Sequence, residues 1–99
     1  DEILTVDGID VFFVAPSDLA QTMGYTGNPN HPDVHAVIDR ALVRIRQAGR
    51  VPGTLVTDGN RERYLDLGVR FLMTSWLPWV QSGLKAFHHS LISRNTSAD

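Results

Sequence analysis

The residues best placed for chemistry are a hydroxyl and a carboxylate, Ser17 and Asp18, directly behind Pro16. They follow the apolar run IDVFFV, Ile9 to Val14, within the stretch VFFVAPSDLAQTMGY. A carboxylate after a rigid proline can ligate a hard divalent cation. The backbone N–H groups of Ser17 and Asp18, at a turn or helix start, suit an anionic group of a substrate. The plainer use of the same pair is to cap a helical turn. Residue types alone leave both uses open.

Other chemistry-bearing residues sit behind later apolar runs: Thr57 and Asp58 after VPGTLV, Thr74 and Ser75 after VRFLM. Asp58 reads as a helix cap before it reads as a ligand. Thr57 and Thr74 are β-branched residues ordinary in strands that could also line a pocket. His31, in NPNHP, could act as a general base, but its place before Pro32 favours a role in helix entry. His35 falls off the apolar stripe and reads as solvated. His88 and His89 are adjacent, so on a helix they point about 100° apart and do not share a metal. Trp76 and Trp79, around Pro78, are either a hydrophobic anchor for a partner subunit or packing for the last helix.

The elements that would position these residues alternate. Ile9 to Val14 predicts a strand too apolar to be half exposed, hence one covered on both faces. Gly24, Gly27, Pro29 and Pro32 forbid a long helix in the loop that follows. Pro32 and Asp33 then suit a helix start. Val34, Val37, Ile38, Ala41, Leu42 and Ile45 make one apolar stripe, and Gly49 is the natural stop. Val51 to Thr57 predicts a second strand with Pro52 tolerated near its start. A short helix is expected over Asn60 to Leu67, a strand over Val69 to Ser75, and a last helix from Leu77 to about Ser93. The apolar stripe of that helix is Leu77, Val80, Leu84, Phe87 and Leu91. One unit is expected over 1–94, followed by a disordered polar tail over 95–99.

Strand and helix in alternation mean an α/β fold with a parallel sheet and right-handed crossovers. Three such units alone leave two open edges. A (β/α)₈ barrel takes roughly 250 residues, so three of its eight units take roughly 94. The chain has 99. Glu2, Ile3 and Leu4 also read like the end of a helix begun earlier. The expected fold is therefore a (β/α)₈ TIM barrel, of which this chain supplies about the last three βα units.

Composition removes other classes. With 42% hydrophobic residues the chain is of globular type, and a net charge of −2 offers no basic field for nucleic acid. No apolar run approaches the roughly 20 residues that span a bilayer. Cysteine is absent, which excludes disulfides and thiolate sites and fits a reducing cytoplasm. The match of Asn95-Thr96-Ser97 to a glycosylation sequon reads as chance in a chain without a secretion signal. No Gly-rich phosphate loop follows any strand, which sets nucleotide binding aside.

Three stretches together, VDGIDVFFVAPSDLAQTMGYTGNPNHPDV, AVIDRALVRIRQAGRVPGTL and RYLDLGVRFL, run in the order found in a known family. From about Ile3 to about Leu72 the chain resembles the C-terminal part of the HpcH/HpaI family, metal-dependent class II pyruvate aldolases acting on 4-hydroxy-2-oxo acids. The resemblance implies a (β/α)₈ barrel assembled as a homo-oligomer, usually a hexamer with an exchanged terminal helix. It implies that Asp18 is a ligand of Mg²⁺, Mn²⁺ or Co²⁺. It also implies that the N–H groups of Ser17 and Asp18 hold the pyruvate carboxylate and that Leu55 forms an apolar wall beside the substrate. The partners it implies are pyruvate, a small aldehyde and the remainder of the barrel.

Departures are specific. Ala15 stands where the family usually has glycine, which would cost about 1 kcal/mol if that position needs a positive φ. TSWLPW stands where a glycine and an aspartate usually follow the third strand. The family's glutamate ligand, catalytic arginine and catalytic histidine lie upstream, and no residue here matches them, His31 and Arg61 included. The expected function is metal-dependent cleavage of 4-hydroxy-2-oxo acids to pyruvate and an aldehyde, with this chain carrying the aspartate ligand and the carboxylate-binding loop. The alternative is a non-catalytic remnant that acts as an oligomerisation module through its strand edges and its Trp76/Trp79 helix.

Overall fold

The computed structural model describes the backbone of residues 1–97 and the side chains of residues 1–95. A 3₁₀ turn over Ile3–Thr5 leads to strand β1 (Val11–Val14) and helix α1 (Pro16–Thr22). Helix α2 (Pro32–Gln47), strand β2 (Val51–Leu55), helix α3 (Arg61–Asp66), strand β3 (Phe71–Met73) and helix α4 (Leu77–Ser97) follow.

The sheet is parallel, and its order β1-β2-β3 is the order of the chain. Register pairs Phe13 with Gly53 and Gly53 with Phe71, so these three share one face. Leu55 and Met73 lie on that face too. Phe12, Val14, Pro52 and Thr54 take the other, and α2 and α3 cover it. Val34, Ile38 and Leu42 of α2 and Tyr64 of α3 join Ala20, Val56 and Val69 in one buried cluster. Helices on one face of a sheet that never reverses its strand order is the winding of a (β/α)₈ barrel, not of a doubly wound sheet.

Burial corrects the expectation that the strands are covered on both faces. Phe13, Leu55, Phe71 and Met73 are all exposed among the described residues. In a barrel that bare face is the interior, which the other strands fill. It is already shaped for filling. Phe13 and Phe71 meet edge to face with centroids 6.3 Å apart, and a Cβ on Gly53 would lie only 3.1 Å from Phe71 Cβ. Glycine is what lets the two rings close over β2.

Local details follow from backbone chemistry. Pro52 sits in the central strand without loss, because its edge faces β3 before that strand begins. There its carbonyl accepts from Arg70 N–H at 3.0 Å. Thr54 is fully buried and satisfied, its hydroxyl donating to Val14 O at 2.9 Å. Arg63 of α3 pairs with Asp39 of α2, clamping the two helices. The stop at Gly49 holds, with φ of +75°.

His31 is the N-cap of α2, its Nδ1 accepting from Asp33 N–H at 3.1 Å. This is the helix-entry role, and it fixes the imidazole proton on Nε2. The ring also stacks on Tyr25 at 3.8 Å, whose hydroxyl donates to Asp33 Oδ2 at 2.7 Å. That hydrogen bond, more than desolvation or the Asp33 charge, raises the Tyr25 hydroxyl above its ordinary 10.0. The bond's stabilisation is therefore complete below pH 10 and fades as pH rises through the raised value. His31→Ala removes cap and stack together. Urea denaturation of the folded protein at neutral pH should show a loss of about 1 kcal/mol, and no loss would contradict the cap.

The ends of the chain differ from expectation. Helix α4 continues through residues 95–97 of the expected tail; no glycine or proline after Gly83 stops that helix. Residues 98–99 of the expected tail lie outside the described residues. Helix α4 carries its stripe into open space. Leu77, Val80, Leu84, Phe87 and Leu91 are 45% to 67% exposed. The radius of gyration is 18.7 Å, against about 13 Å for a compact chain of this length. No described helix is long and apolar enough to cross a membrane.

Candidate active site

Helix α1 begins where β1 ends. Ala15 is its N-cap in extended backbone, with φ −92° and ψ 106°. The position needs no positive φ, so alanine in place of glycine costs nothing there. Pro16, Ser17 and Asp18 form the first turn, and the first intrahelical bond runs from Leu19 N–H to Ala15 O at 3.0 Å. The N–H groups of Ser17 and Asp18 precede that bond and are orphan donors. No side chain caps this helix, so the capping use of Ser17 or Asp18 is not realised. Both residues are exposed. The Asp18 carboxylate has no hydrogen-bond or ion-pair partner among the described residues, and Thr22 Oγ1 bonds only its backbone carbonyl.

A cavity of about 190 Å³ opens at the carboxyl ends of β1 and β2. Ser17 and Leu55 both line it, with Asn30, His35 and Thr57. Two of the three expected substrate-binding residues are thus brought together, and Asp18 sits beside them on α1 without lining the cavity. Leu55 also lines a second cavity of about 400 Å³, between the ends of β2 and β3. It is the wall between the two.

His35 corrects its reading as solvated. It is half-buried and its Nε2 lies 3.4 Å from Asn30 Oδ1. Neither residue stood out in the sequence as a cavity residue. The available signal was their spacing around the cap, since the turn that makes His31 the cap folds Asn30 back toward His35. Asp58 is a second correction. It does not cap α3, whose N-cap is Asn60; Asn60 Oδ1 instead accepts from Thr57 N–H at 2.7 Å. The Asp58 carboxylate accepts from Trp79 Nε1 at 2.8 Å and lies 3.7 Å from the Arg61 guanidinium. Trp79 is thereby tied to the strand ends, while Trp76 is 67% exposed.

No group of three or more His, Cys, Asp or Glu residues that could hold a metal occurs among the described residues. Among the described residues, Asp18 offers the one unengaged carboxylate at the carboxyl end of a strand. This is the right donor chemistry for a hard cation and one member of the ligand set it needs.

The family model for HpcH/HpaI aldolase/citrate lyase matches residues 1–74. A 4-hydroxy-2-oxo-heptane-1,7-dioate aldolase of Shigella sonnei is 49% identical over 72 residues, 72% of this chain and 28% of that protein. A protein of the same name from Salmonella paratyphi B is 51% identical over 71 residues, 71% of this chain and 27% of its own. The chain thus spans little more than a quarter of these relatives. Among solved structures, an HpcH/HpaI aldolase/citrate lyase family protein from Burkholderia cenocepacia superposes with a TM-score of 0.72 at 32% identity. That match covers 94% of this chain and 36% of the other. The citrate synthase SbnG, at 17% identity and a TM-score of 0.76, shares the fold over 95% of this chain and 39% of its own. The chain belongs to the HpcH/HpaI aldolase/citrate lyase family.

Proposed function

We propose that this chain is part of a barrel that cleaves 4-hydroxy-2-oxo acids to pyruvate and an aldehyde with the help of a divalent cation. The observation that carries the reading is the end of β1. Two orphan N–H groups and an unengaged carboxylate stand there beside a cavity bounded by Leu55. The Ser17 and Asp18 amides bind the carboxylate of the 2-oxo acid, aided by the positive end of α1. Leu55 shields the reacting carbons from water. Asp18 is one ligand of Mg²⁺, Mn²⁺ or Co²⁺, which when bound supplies Lewis-acid polarisation of the keto group. Cleavage breaks the bond between the third and fourth carbons and passes the proton of the 4-hydroxyl to a base. The base and the remaining ligands belong to the rest of the barrel. We place the protein in the cytoplasm, as a homo-oligomer.

Hydrogen–deuterium exchange at the methyl group of pyruvate tests this without an aldehyde, read by mass spectrometry. The whole barrel should exchange in a metal-dependent way, and the isolated 99 residues, with one carboxylate ligand, should not. Metal-independent exchange, or none in the whole barrel, would overturn the reading.

The exposed stripe of α4 favours a second reading, assembly without chemistry. It expects stable oligomers of the chain and no rise in melting temperature with Mn²⁺ and pyruvate.

A further inference from the structure

We infer that His31 is a pH-sensitive latch on the cavity beside Ser17. Neutral, its ring caps α2 and holds the segment from Tyr25 to His31 in place. Protonated, it lets go of the helix and turns to the carboxylate of Asp33. The latch stands apart from the aldolase reading above, and only its effect on substrate rests on that reading.

Three groups converge on the ring. Nδ1 accepts from Asp33 N–H at 3.1 Å, the ring stacks on Tyr25 with centroids 3.8 Å apart, and Asp33 Oδ2 lies 3.9 Å from Nδ1. The first contact needs a lone pair on Nδ1. A protonated imidazole has none, since both its nitrogens are then donors. Its Nδ1–H would face Asp33 N–H, donor against donor, and its charge would sit at the positive end of a 16-residue helix. The acceptor within reach is the Asp33 carboxylate. One residue thus offers the ring two partners, its N–H when the ring is neutral and its carboxylate when the ring is charged.

Tyr25 opposes the second partner. Asp33 Oδ2 already accepts from the Tyr25 hydroxyl at 2.7 Å, so the imidazolium must share or displace that bond. Helix α1, packed on α2, has Asp18 as its one charged residue, and that carboxylate has no partner among the described residues. Strands β1 and β2 have no charged residue. His35, one turn along α2, places Nε2 3.4 Å from Asn30 Oδ1 and donates there in either charge state.

The change reaches the cavity through short ties. Asn28 N–H donates to Tyr25 O at 2.9 Å, and His31 N–H donates to Asn28 O at 3.3 Å. Pro29 and Asn30, between Asn28 and the cap, line the same cavity as Ser17. A ring that leaves the helix gives up both the cap and the stack that hold this wall. Histidine is the side chain that ordinarily changes charge between about pH 5 and 8. The cap needs the neutral ring, so its stabilisation is complete on the alkaline side of the titration and is lost as pH falls through it.

Amide hydrogen exchange of the whole barrel tests the latch, read by mass spectrometry over residues 33–37 from about pH 8 to about pH 5.5. Rates are corrected for the pH dependence of exchange in an unfolded chain. Protection should fall about fivefold toward acid, the worth of one cap. His31→Asn keeps a capping oxygen that takes no proton in this range, and its protection should stay level. Tyr25→Phe keeps the stack and frees Asp33 for the imidazolium, so its fall should begin at higher pH. An equal fall in His31→Asn, or no fall in the unaltered barrel, would overturn the inference. A fall in Tyr25→Phe at the same or lower pH would overturn the part given to Asp33. Pyruvate affinity, measured on the same samples with Mn²⁺, should drop along with protection in the unaltered barrel and less in His31→Asn. Equal drops in the two would overturn the link to the cavity. Absence of pyruvate binding at every pH would instead overturn the aldolase reading and leave the latch standing.

Discussion

Asp18→Asn is expected to lower metal-dependent kcat/KM of the whole barrel by about 10³-fold while leaving its stability within about 0.5 kcal/mol of the original. The two halves of this expectation come from the same observation. Asp18 is exposed, lies in the first turn of α1, and its carboxylate bonds to nothing among the described residues. Fold stability therefore draws little from it beyond a weak interaction with the helix dipole. The carboxamide keeps the shape but is neutral, and one of its two oxygens becomes an NH₂ that cannot ligate. If Asp18 is a ligand, the loss falls on cation affinity and on polarisation of the keto group, and more cation restores part of it. Kinetics across a Mn²⁺ series, with urea denaturation in parallel, separate the outcomes. Full activity in the variant would remove Asp18 from the mechanism. Lost stability would mean that its role is structural.

The second large effect lies in the core. Leu42→Ala on α2 should cost about 3 kcal/mol in urea denaturation of the folded protein. Leu42 is fully buried in the cluster with Val34, Ile38, Val56, Tyr64 and Val69. This cluster joins α2 and α3 to the helix-facing side of the sheet. Truncation there leaves a cavity in the middle of that packed cluster. That is a large share of the 5–15 kcal/mol that typically separates a folded domain from its unfolded chain. Leu84→Ala on α4 is the contrast. Its side chain is 64% exposed, so the change should cost under about 0.5 kcal/mol in a monomer. A cost near that of Leu42→Ala would mean that another copy covers the stripe.

Alternation of strand and helix was readable because each unit carries its own punctuation. Pro32 and Gly49 bracket α2, and the stripe from Val34 to Ile45 has one period throughout. Helix α1 was not readable as more than a turn. It is seven residues long and buries only Ala20, so it has no period to detect, and Ser17, Asp18 and Thr22 are weak helix formers. The strands misled about their surroundings. An apolar run says that both faces avoid water in the finished fold, but not that a helix supplies both covers. In the site, Ser17 and Leu55 line one cavity because both stand at the carboxyl ends of neighbouring strands. The tie between Asp58 and Trp79 was not legible, because it spans 21 residues and depends on how the first turn of α4 leaves β3. The same geometry took Asp58 away from the cap role that its position before α3 suggested.

Strand order equal to chain order also bears on how the protein is made. Val11 finds Val51, and Gly53 finds Phe71, without waiting for any distant part of the sequence. The sheet can therefore lengthen one strand at a time as the chain leaves the ribosome. At every stage of that growth the newest strand presents a fresh row of unpaired N–H and C=O groups. Sealing the cylinder is the one step that joins strands far apart in sequence. Until then the nascent chain is most at risk of joining a neighbouring copy edge to edge, and conditions that slow synthesis lengthen that exposure.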